Sequence, residues 1–438
     1  MIQRKRKVLY IAYYFPPMGL SGVQRTLKFV KYLPAHNWIP TVLTVMPAAY
    51  YATDHSLLKE IEASEVRVVR SNSLDANRVL SKKGVMKMPP EGMRKFLQFV
   101  GDTFIIPDTK IGWKQPALKA ARELLKHESF DAIFATAPPQ TDFLIGKQLK
   151  QEFKIPLVVE YRDAWLDYPF KYFPTPLHRY LHKRLEYKVL KAADRIIVTH
   201  RRMKENILKV HRDLGFHDIS IISQGYDEED FDRRPTHHHK VKRMRIAHAG
   251  TFYGGRDPAV LIQALHNVLK ADTHLRGRIE LILIGNIREP DQKLVQRLGL
   301  QNDVSFTGYV DHRECTRLLQ GSDVLWFIND NDLSSPGKLY EYFGSRKPIL
   351  ASIVEGYTKQ LIEESKAAIC VSLTDVPSHE AALRELFARS EKKTLPAISQ
   401  QFADRFNRYA LTAELAKVFE SLLDHDFHQV MKPDGGDA

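Results

Sequence analysis

The chain is short of cysteine, of acid and of long apolar runs. Two cysteines in 438 residues, Cys315 and Cys370, lie far apart, which excludes a disulfide framework or a cysteine-rich metal centre. No apolar run approaches the roughly 20 residues that span a bilayer. The amino terminus, Met1 to Lys7, is basic and leads into the apolar stretch Val8 to Phe15, which stops at Pro16-Pro17. It lacks the longer apolar core and small-residue cleavage site of a secretory leader, so a cytoplasmic protein is expected. A Walker A loop and a complete dinucleotide fingerprint are also missing. Nor does any zinc-finger spacing or RNA-binding aromatic motif accompany the charge, which argues against a nucleic-acid partner.

What is present is base. Lys and Arg number 65 against 52 Asp and Glu, a net charge of +13. Part of the excess lies in Lys82 to Lys95, interleaved with methionine. Part lies on a helix expected from Leu177 to Ala192, where Leu177, Leu181, Leu185 and Val189 recur every four residues beside Arg179, Lys183, Arg184, Lys188 and Lys191. That pattern suits an anionic membrane surface. It suits better a helix with an apolar stripe on the core and a solvated back.

An apolar fraction of 44% and a charged fraction of 27% are those of a globular protein, and the length calls for two domains. Periodicity gives strands alternating with helices twice over, the pattern of parallel sheets covered on both faces. The first series is Val8 to Phe15, Thr41 to Val45, Val66 to Arg70, Phe130 to Thr136, Pro156 to Tyr161, Arg195 to Thr199 and Ile219 to Ser223. The second is Arg245 to Ala249, Arg278 to Gly285, Val304 to Thr307, Asp323 to Ile328, Lys347 to Ser352 and Ala368 to Val371. The polar run Asp232 to Arg245, with His237 to His239, reads as an interdomain connection. Residues 1–231 and 245–408 are the expected domains, with a helix from about residue 409 packing back on the first.

Ligands of such sheets bind beyond the carboxyl ends of the strands, so the chemistry is expected in three loops. The first carries Gly19 and Gly22. The second, His248 to Pro258, offers Arg256 beside a helix whose expected N-cap is Asp257. The third, Ser334 to Gly344, is expected to open a helix at Ser335-Pro336 and to set Lys338 and Glu341 on one face. A lysine in a first turn opposes the helix dipole unless an anion sits on the bare N–H groups. Lys338 and Arg256 could therefore share one diphosphate; a surface Lys/Glu pair is the plainer alternative. Asp330-Asn331-Asp332 is metal-like in type but follows a strand of the second series, so no metal or cofactor is expected.

The order and spacing of Phe15-Pro16-Pro17, Gly22-Val23-Gln24-Arg25, Ala193 to Val198, Gln224-Gly225, Ala249-Gly250-Thr251, Ile284-Gly285, Gly308-Tyr309 and Lys338 to Ser352 resemble the family-4 glycosyltransferases over nearly the whole chain. That resemblance implies a GT-B architecture, two doubly wound α/β domains with a cleft. It implies retaining transfer from a nucleoside-diphosphate sugar to a glycan or lipid-linked acceptor in cell-surface polysaccharide or glycolipid assembly. Glu341 then matches the glutamate on the ribose hydroxyls, Arg256 and Lys338 the diphosphate ligands, and Gly285 and Tyr309 the backbone facing the base. Gly19 and Gly22 would lie near the distal phosphate.

Two departures accompany it. Leu333 stands where the family has a first glutamate, and Arg162, followed by Asp163, replaces its first-domain histidine. Arginine cannot act as a base at neutral pH. Arg162 and Asp163 are therefore expected on the sugar or acceptor side, or as a structural pair. A non-catalytic nucleotide-sugar scaffold and a GT-B nucleotide-sugar epimerase are the alternatives.

Overall fold

A computed structural model describes residues 5–19, 21–47, 53–54, 56–62, 64, 66–75, 99–169, 171–231, 243–252 and 254–423. The basic run Lys82 to Lys95, the histidines His237 to His239, most of the connection after Asp232 and the tail from Asp424 lie outside them. The chain clusters into two units, the first comprising residues up to Ser223 with Leu333–Ser335 and the chain from Arg408, the second Gln224–Asp332 with Pro336–Asn407.

All the strands expected from periodicity form. In the first unit they are β1 (Arg6–Ile11), β2 (Trp38–Val45), β3 (Arg67–Ser71), β4 (Ala132–Ala137), β5 (Leu157–Tyr161), β6 (Arg195–Val198) and β7 (Ile219–Ile221). They make one parallel sheet in the order β3-β2-β1-β4-β5-β6-β7. In the second unit β8 (Met244–Ala249), β9 (Ile279–Ile284), β10 (Val304–Gly308), β11 (Val324–Asn329), β12 (Ile349–Ile353) and β13 (Ala368–Val371) pair in parallel as β10-β9-β8-β11-β12-β13. Both sheets are doubly wound, and strand order reverses between β1 and β4 and between β8 and β11. β1 ends at Ile11 rather than Phe15, because Tyr13 to Met18 have already turned off the sheet into the loop.

The central strands β4, β5, β11 and β12 bury both faces, so each sheet packs against two apolar layers. In the first unit one layer holds Trp113, Leu118, Phe143 and Trp165, and the other holds Val23, Leu27, Trp38 and Phe134. The second layer is completed from the far end of the chain. Leu411, Leu415 and Phe419 of the helix Arg408–Glu420 bury against it, with Phe419 5.0 Å from Trp38 between ring centroids.

The helix Pro176–Ala192 departs from the expected stripe. Leu177 is 61% exposed and Leu181 and Leu185 are only half-buried, while His182, Glu186, Val189 and Leu190 face the core. Two buried polar groups are tolerated because each has a partner. Trp165 Nε1 donates to His182 Nδ1 at 2.9 Å, and His211 Nε2 meets Glu186 Oε2 at 2.9 Å. Burial pulls the His182 pKa down to about 4, which keeps its ring neutral and able to accept that bond.

Candidate functional site

In the first unit, the carboxyl ends of β1, β4 and β5 are tied together by Arg162. The residue is buried, and its guanidinium donates to the carbonyls of Gly22, Pro138 and, at 3.4 Å, Ala137. A Cβ on Gly22 would lie 3.1 Å from the same guanidinium, so glycine there lets the start of the helix Ser21–Tyr32 approach the arginine. Arg162 thus fixes the glycine loop rather than presenting a free cation. Asp163 beside it is half-buried and, among the described residues, makes no hydrogen bond. Burial raises its pKa, and the neighbouring Arg162 opposes that shift. Gly19, also half-buried, lies on the same loop.

In the second unit, the loop after β8 and the loop after β11 meet where strand order reverses. Arg256, 7% exposed, donates from Nε to Asp330 Oδ1 at 3.2 Å and from Nη2 to Asn329 Oδ1 at 2.7 Å, while Gly255 N donates to Asp330 Oδ2 at 2.8 Å. Arg256 is thereby held at the mouth of the helix Ala259–Ala271. That helix starts one residue later than expected, with Pro258 at the N-cap, and Asp257 Oδ1 still accepts from Ala259 N at 3.0 Å. Asp332 Oδ1 accepts from Thr358 N at 3.0 Å, so Asp330 and Asp332 both serve the protein's own loops.

The helix Gly337–Ser345 follows. Its N-cap is Pro336 rather than Ser335; no side chain caps it, and Ser335 groups with the first unit. Pro336 is itself extended, with ψ at 122°, and the helical turn begins only beyond it. Leu339 N donates to Pro336 O at 3.1 Å, and the N–H groups of Gly337 and Lys338 have no side-chain cap and could meet a ligand. Lys338 Nζ sits 2.8 Å from Glu341 Oε2 and 3.8 Å from Cys315 Sγ. Burial disfavours its charge, but the Cys315 sulfur and the Glu341 carboxylate outweigh that and raise its pKa well above the usual lysine value. One turn on, the Tyr342 hydroxyl accepts from Ala249 N at 2.9 Å, which fastens this helix to the end of β8.

Gly285 and Tyr309 come to the same edge. Gly285 N donates to Gly308 O at 3.0 Å, and a Cβ on Gly285, at φ +126°, would lie 2.6 Å from Gly250 O. The end of β9 can therefore lie against the loop after β8 only with glycine there. Tyr309 is 47% exposed just beyond β10.

His248 and His312 were not singled out from the sequence. His248 lies at the end of β8, bonded through Nδ1 to Trp326 O at 2.9 Å and stacked on Phe252 with ring centroids 4.6 Å apart. Burial, with Arg256 and Lys338 acting in the same direction, lowers its pKa to about 4 against the bond to Trp326. A neutral ring therefore lies in the field of both candidate diphosphate cations. The only advance signal was a histidine directly before Ala249-Gly250. His312, first residue of the helix His312–Gln320, meets Asp230 Oδ2 at 3.0 Å. Burial alone would lower its pKa, but Asp230 and Glu341 together raise it.

A protonated His312 therefore adds stability that is full below about pH 6.5, its ordinary value, and is lost as pH rises through the higher folded-state value. The expected result is a melting temperature of the second unit that declines from about pH 6 to pH 9 and declines less in His312→Gln. Equal slopes in differential scanning calorimetry would refute the linkage.

Residues 22–225 match the family described as glycosyl transferase 4-like domain, and residues 243–389 match glycosyl transferases group 1. No functionally curated protein sequence matches the chain. Among solved structures, HepE of Anabaena in complex with UDP and glucose is 16% identical, with a TM-score of 0.62 over 95% of this chain and 100% of that one. WaaG, a glycosyltransferase involved in lipopolysaccharide biosynthesis, is 14% identical, with a TM-score of 0.58 over 94% and 99%. A putative UDP-N-acetylglucosamine 2-epimerase from Listeria monocytogenes is 14% identical, with a TM-score of 0.58 over 99% and 100%. Likeness at these identities carries the fold; the two family matches, one on each Rossmann-like unit, carry the activity class. The chain carries a glycosyltransferase domain on each of its two units, and its fold is GT-B.

Proposed function

We propose that this chain is a retaining, metal-independent glycosyltransferase that moves a sugar from a nucleoside-diphosphate sugar to a glycan or lipid-linked acceptor, in cell-surface polysaccharide or glycolipid assembly. The observation that carries the reading is the uncapped helix Gly337–Ser345, with Lys338 in its first turn and Glu341 2.8 Å from it, beside the reversal point of the second sheet. An anion on the bare N–H groups would gain from the dipole and from Lys338 together. Glu341, one turn deeper, is placed to accept from ribose hydroxyls.

Lys338 and Arg256 are assigned to the diphosphate, the backbone at Gly285 and Tyr309 to the base, and Gly19 and Gly22 to the distal phosphate. Asp163, an unbonded carboxylate, is assigned to the acceptor hydroxyl, and Arg162 to holding the glycine loop. In the transfer, the bond from the sugar C1 to the β-phosphate oxygen breaks and the acceptor oxygen bonds to C1 on the same face. The acceptor proton passes to the departing phosphate oxygen. The charge that builds on the diphosphate is met by fixed cations and helix N–H groups, the role a metal has elsewhere. HepE, which has this fold, is described with UDP and glucose, and WaaG acts in lipopolysaccharide synthesis; both support the reading of donor and pathway. Among the described residues no helix is long and apolar enough to cross a membrane.

Glu341→Ala should weaken UDP binding by about tenfold to a hundredfold in calorimetry, the loss expected of charge-assisted hydrogen bonds. Unchanged UDP affinity would sink the donor-site assignment. Tight binding with no turnover on any acceptor would favour the scaffold alternative.

A further inference from the structure

A groove of about 1410 Å³ lies in the first unit between the helices Pro176–Ala192 and Arg201–Val210, with Leu333 also in its lining. It starts at Leu166, three residues after Asp163, and ends at Arg212 and Asp213. Its wall is one stripe of a helix: Tyr180, Lys183, Arg184 and Tyr187 recur at i, i+3, i+4 and i+7. This stripe faces away from the core, and it pairs rings with cations where a plain solvated back would mix both charges.

The charge is unbalanced. Asp167 is matched by Arg179 at 3.5 Å, and Asp213 by Lys191 at 2.7 Å. Lys183, Arg184, Lys209 and Arg212 line the groove and, among the described residues, have no carboxylate partner. The aromatic wall is also braced. Tyr187 donates from its hydroxyl to Asp213 Oδ2 at 2.9 Å and stacks on His211, with centroids 5.9 Å apart and planes 23° apart. His211 is in turn fixed by buried Glu186 at 2.9 Å. Side chains locked in this way form a preorganised surface.

We infer that this groove docks an anionic segment of the acceptor glycan, a run of sugars bearing carboxylate or phosphate groups, and leads its growing end toward Asp163. The inference rests on the glycosyltransferase reading above. A sugar ring presents a C–H face that packs on an aromatic plane, and its carboxylate presents the two oxygens that an arginine fork fits. The half-exposed rings at Tyr180 and Tyr187, one turn on either side of Lys183 and Arg184, offer both kinds of contact in alternation. Tyr180 is 58% exposed and Tyr187 39%. A bilayer is the poorer fit, because the site is concave and its stripe is made chiefly of rings and cations, with Leu177 its one exposed aliphatic side chain.

The test is calorimetric titration of the full chain with oligogalacturonate, a carboxylated saccharide, alongside neutral maltohexaose and vesicles of equal parts phosphatidylglycerol and phosphatidylcholine. Oligogalacturonate should bind, more weakly as salt rises. Lys183→Gln/Arg184→Gln should weaken it by about tenfold or more, and Tyr180→Ala by about fivefold, at unchanged melting temperature. Lys270→Gln/Arg276→Gln, which removes two exposed cations of the second unit, should leave it unaltered. Equal losses in the two double variants, equal binding of maltohexaose, or binding to vesicles alone would each overturn the proposal. UDP affinity is measured on the same variants. Its retention with loss of the saccharide separates the groove from the donor site, and failure of wild type to bind UDP, GDP or ADP would refute the function while leaving saccharide docking standing.

Discussion

Arg25→Ala is expected to destabilise the first unit by about 3–5 kcal/mol, the largest stability loss we anticipate from a single substitution. Arg25 and Glu160 form a pair with side-chain exposures of 1% and 0%, Nη2 lying 2.8 Å from Oε1. Glu160 is also bonded by Thr136 Oγ1 at 2.6 Å, and Arg25 donates to Ile222 O at 2.9 Å and to Ser223 O. Its guanidinium lies 4.6 Å from the Phe29 ring centroid. Every polar atom of the arginine fork is thus used, across the helix Ser21–Tyr32, β5 and the stretch leaving β7. Removing the cation leaves a buried carboxylate with a single hydroxyl for a partner, and the two carbonyls lose a donor. At about 2–4 °C per kcal/mol for a unit of this size, the melting temperature should fall by about 10–15 °C. Replacing both partners by methionine should recover most of the loss, because no unpaired charge remains. Denaturant titration decides it, and a loss below about 1 kcal/mol in Arg25→Ala would mean that water reaches the pair.

That pair also marks where the sequence stops being readable. The strands of both sheets were legible because a parallel strand buried on both faces writes itself as a short apolar run, and the runs alternate with helical spacing. The candidate site was legible as loop chemistry: glycines, an arginine and a Pro-Gly-Lys helix start, each following a strand. What could not be read was the set of partners. Gly22-Val23-Gln24-Arg25 shows an arginine in a loop-to-helix turn, but its carboxylate lies 135 residues away on β5. The sequence leaves Arg162 open between the sugar or acceptor side and a structural role, and the three carbonyls its guanidinium meets, those of Ala137, Pro138 and Gly22, lie far from it in sequence. The stripe Leu177-Leu181-Leu185 pointed to the core by apolar periodicity and lost to buried His182 and Glu186, whose partners Trp165 and His211 come from outside the helix. In each case a non-local hydrogen bond decides, and local pattern does not encode it.

Lys338→Ala should lower the rate of donor turnover by about a hundredfold to a thousandfold while changing UDP affinity by much less. The asymmetry follows from when charge appears. In the ground state the diphosphate is shared among Arg256, the open N–H groups of Gly337–Ser345 and Lys338. As the sugar leaves, the added negative charge builds on the terminal phosphate, and a fixed ammonium opposite it gains interaction only at that stage. The protein has placed that ammonium against two restraining groups, Glu341 Oε2 at 2.8 Å and Cys315 Sγ at 3.8 Å, so it need not reorganise. Its raised pKa keeps it charged across the working range, and no loss of rate between about pH 6 and pH 9 should trace to Lys338 itself. Lys338→Arg should not restore the rate. The planar fork is bulkier than the ammonium and cannot keep both the carboxylate contact and the approach to Cys315. Release of the nucleoside diphosphate under single-turnover conditions, from whichever nucleotide sugar the wild type turns over, measures the effect. A rate within about threefold of wild type in Lys338→Ala would show that the helix N–H groups and Arg256 carry the leaving group without it.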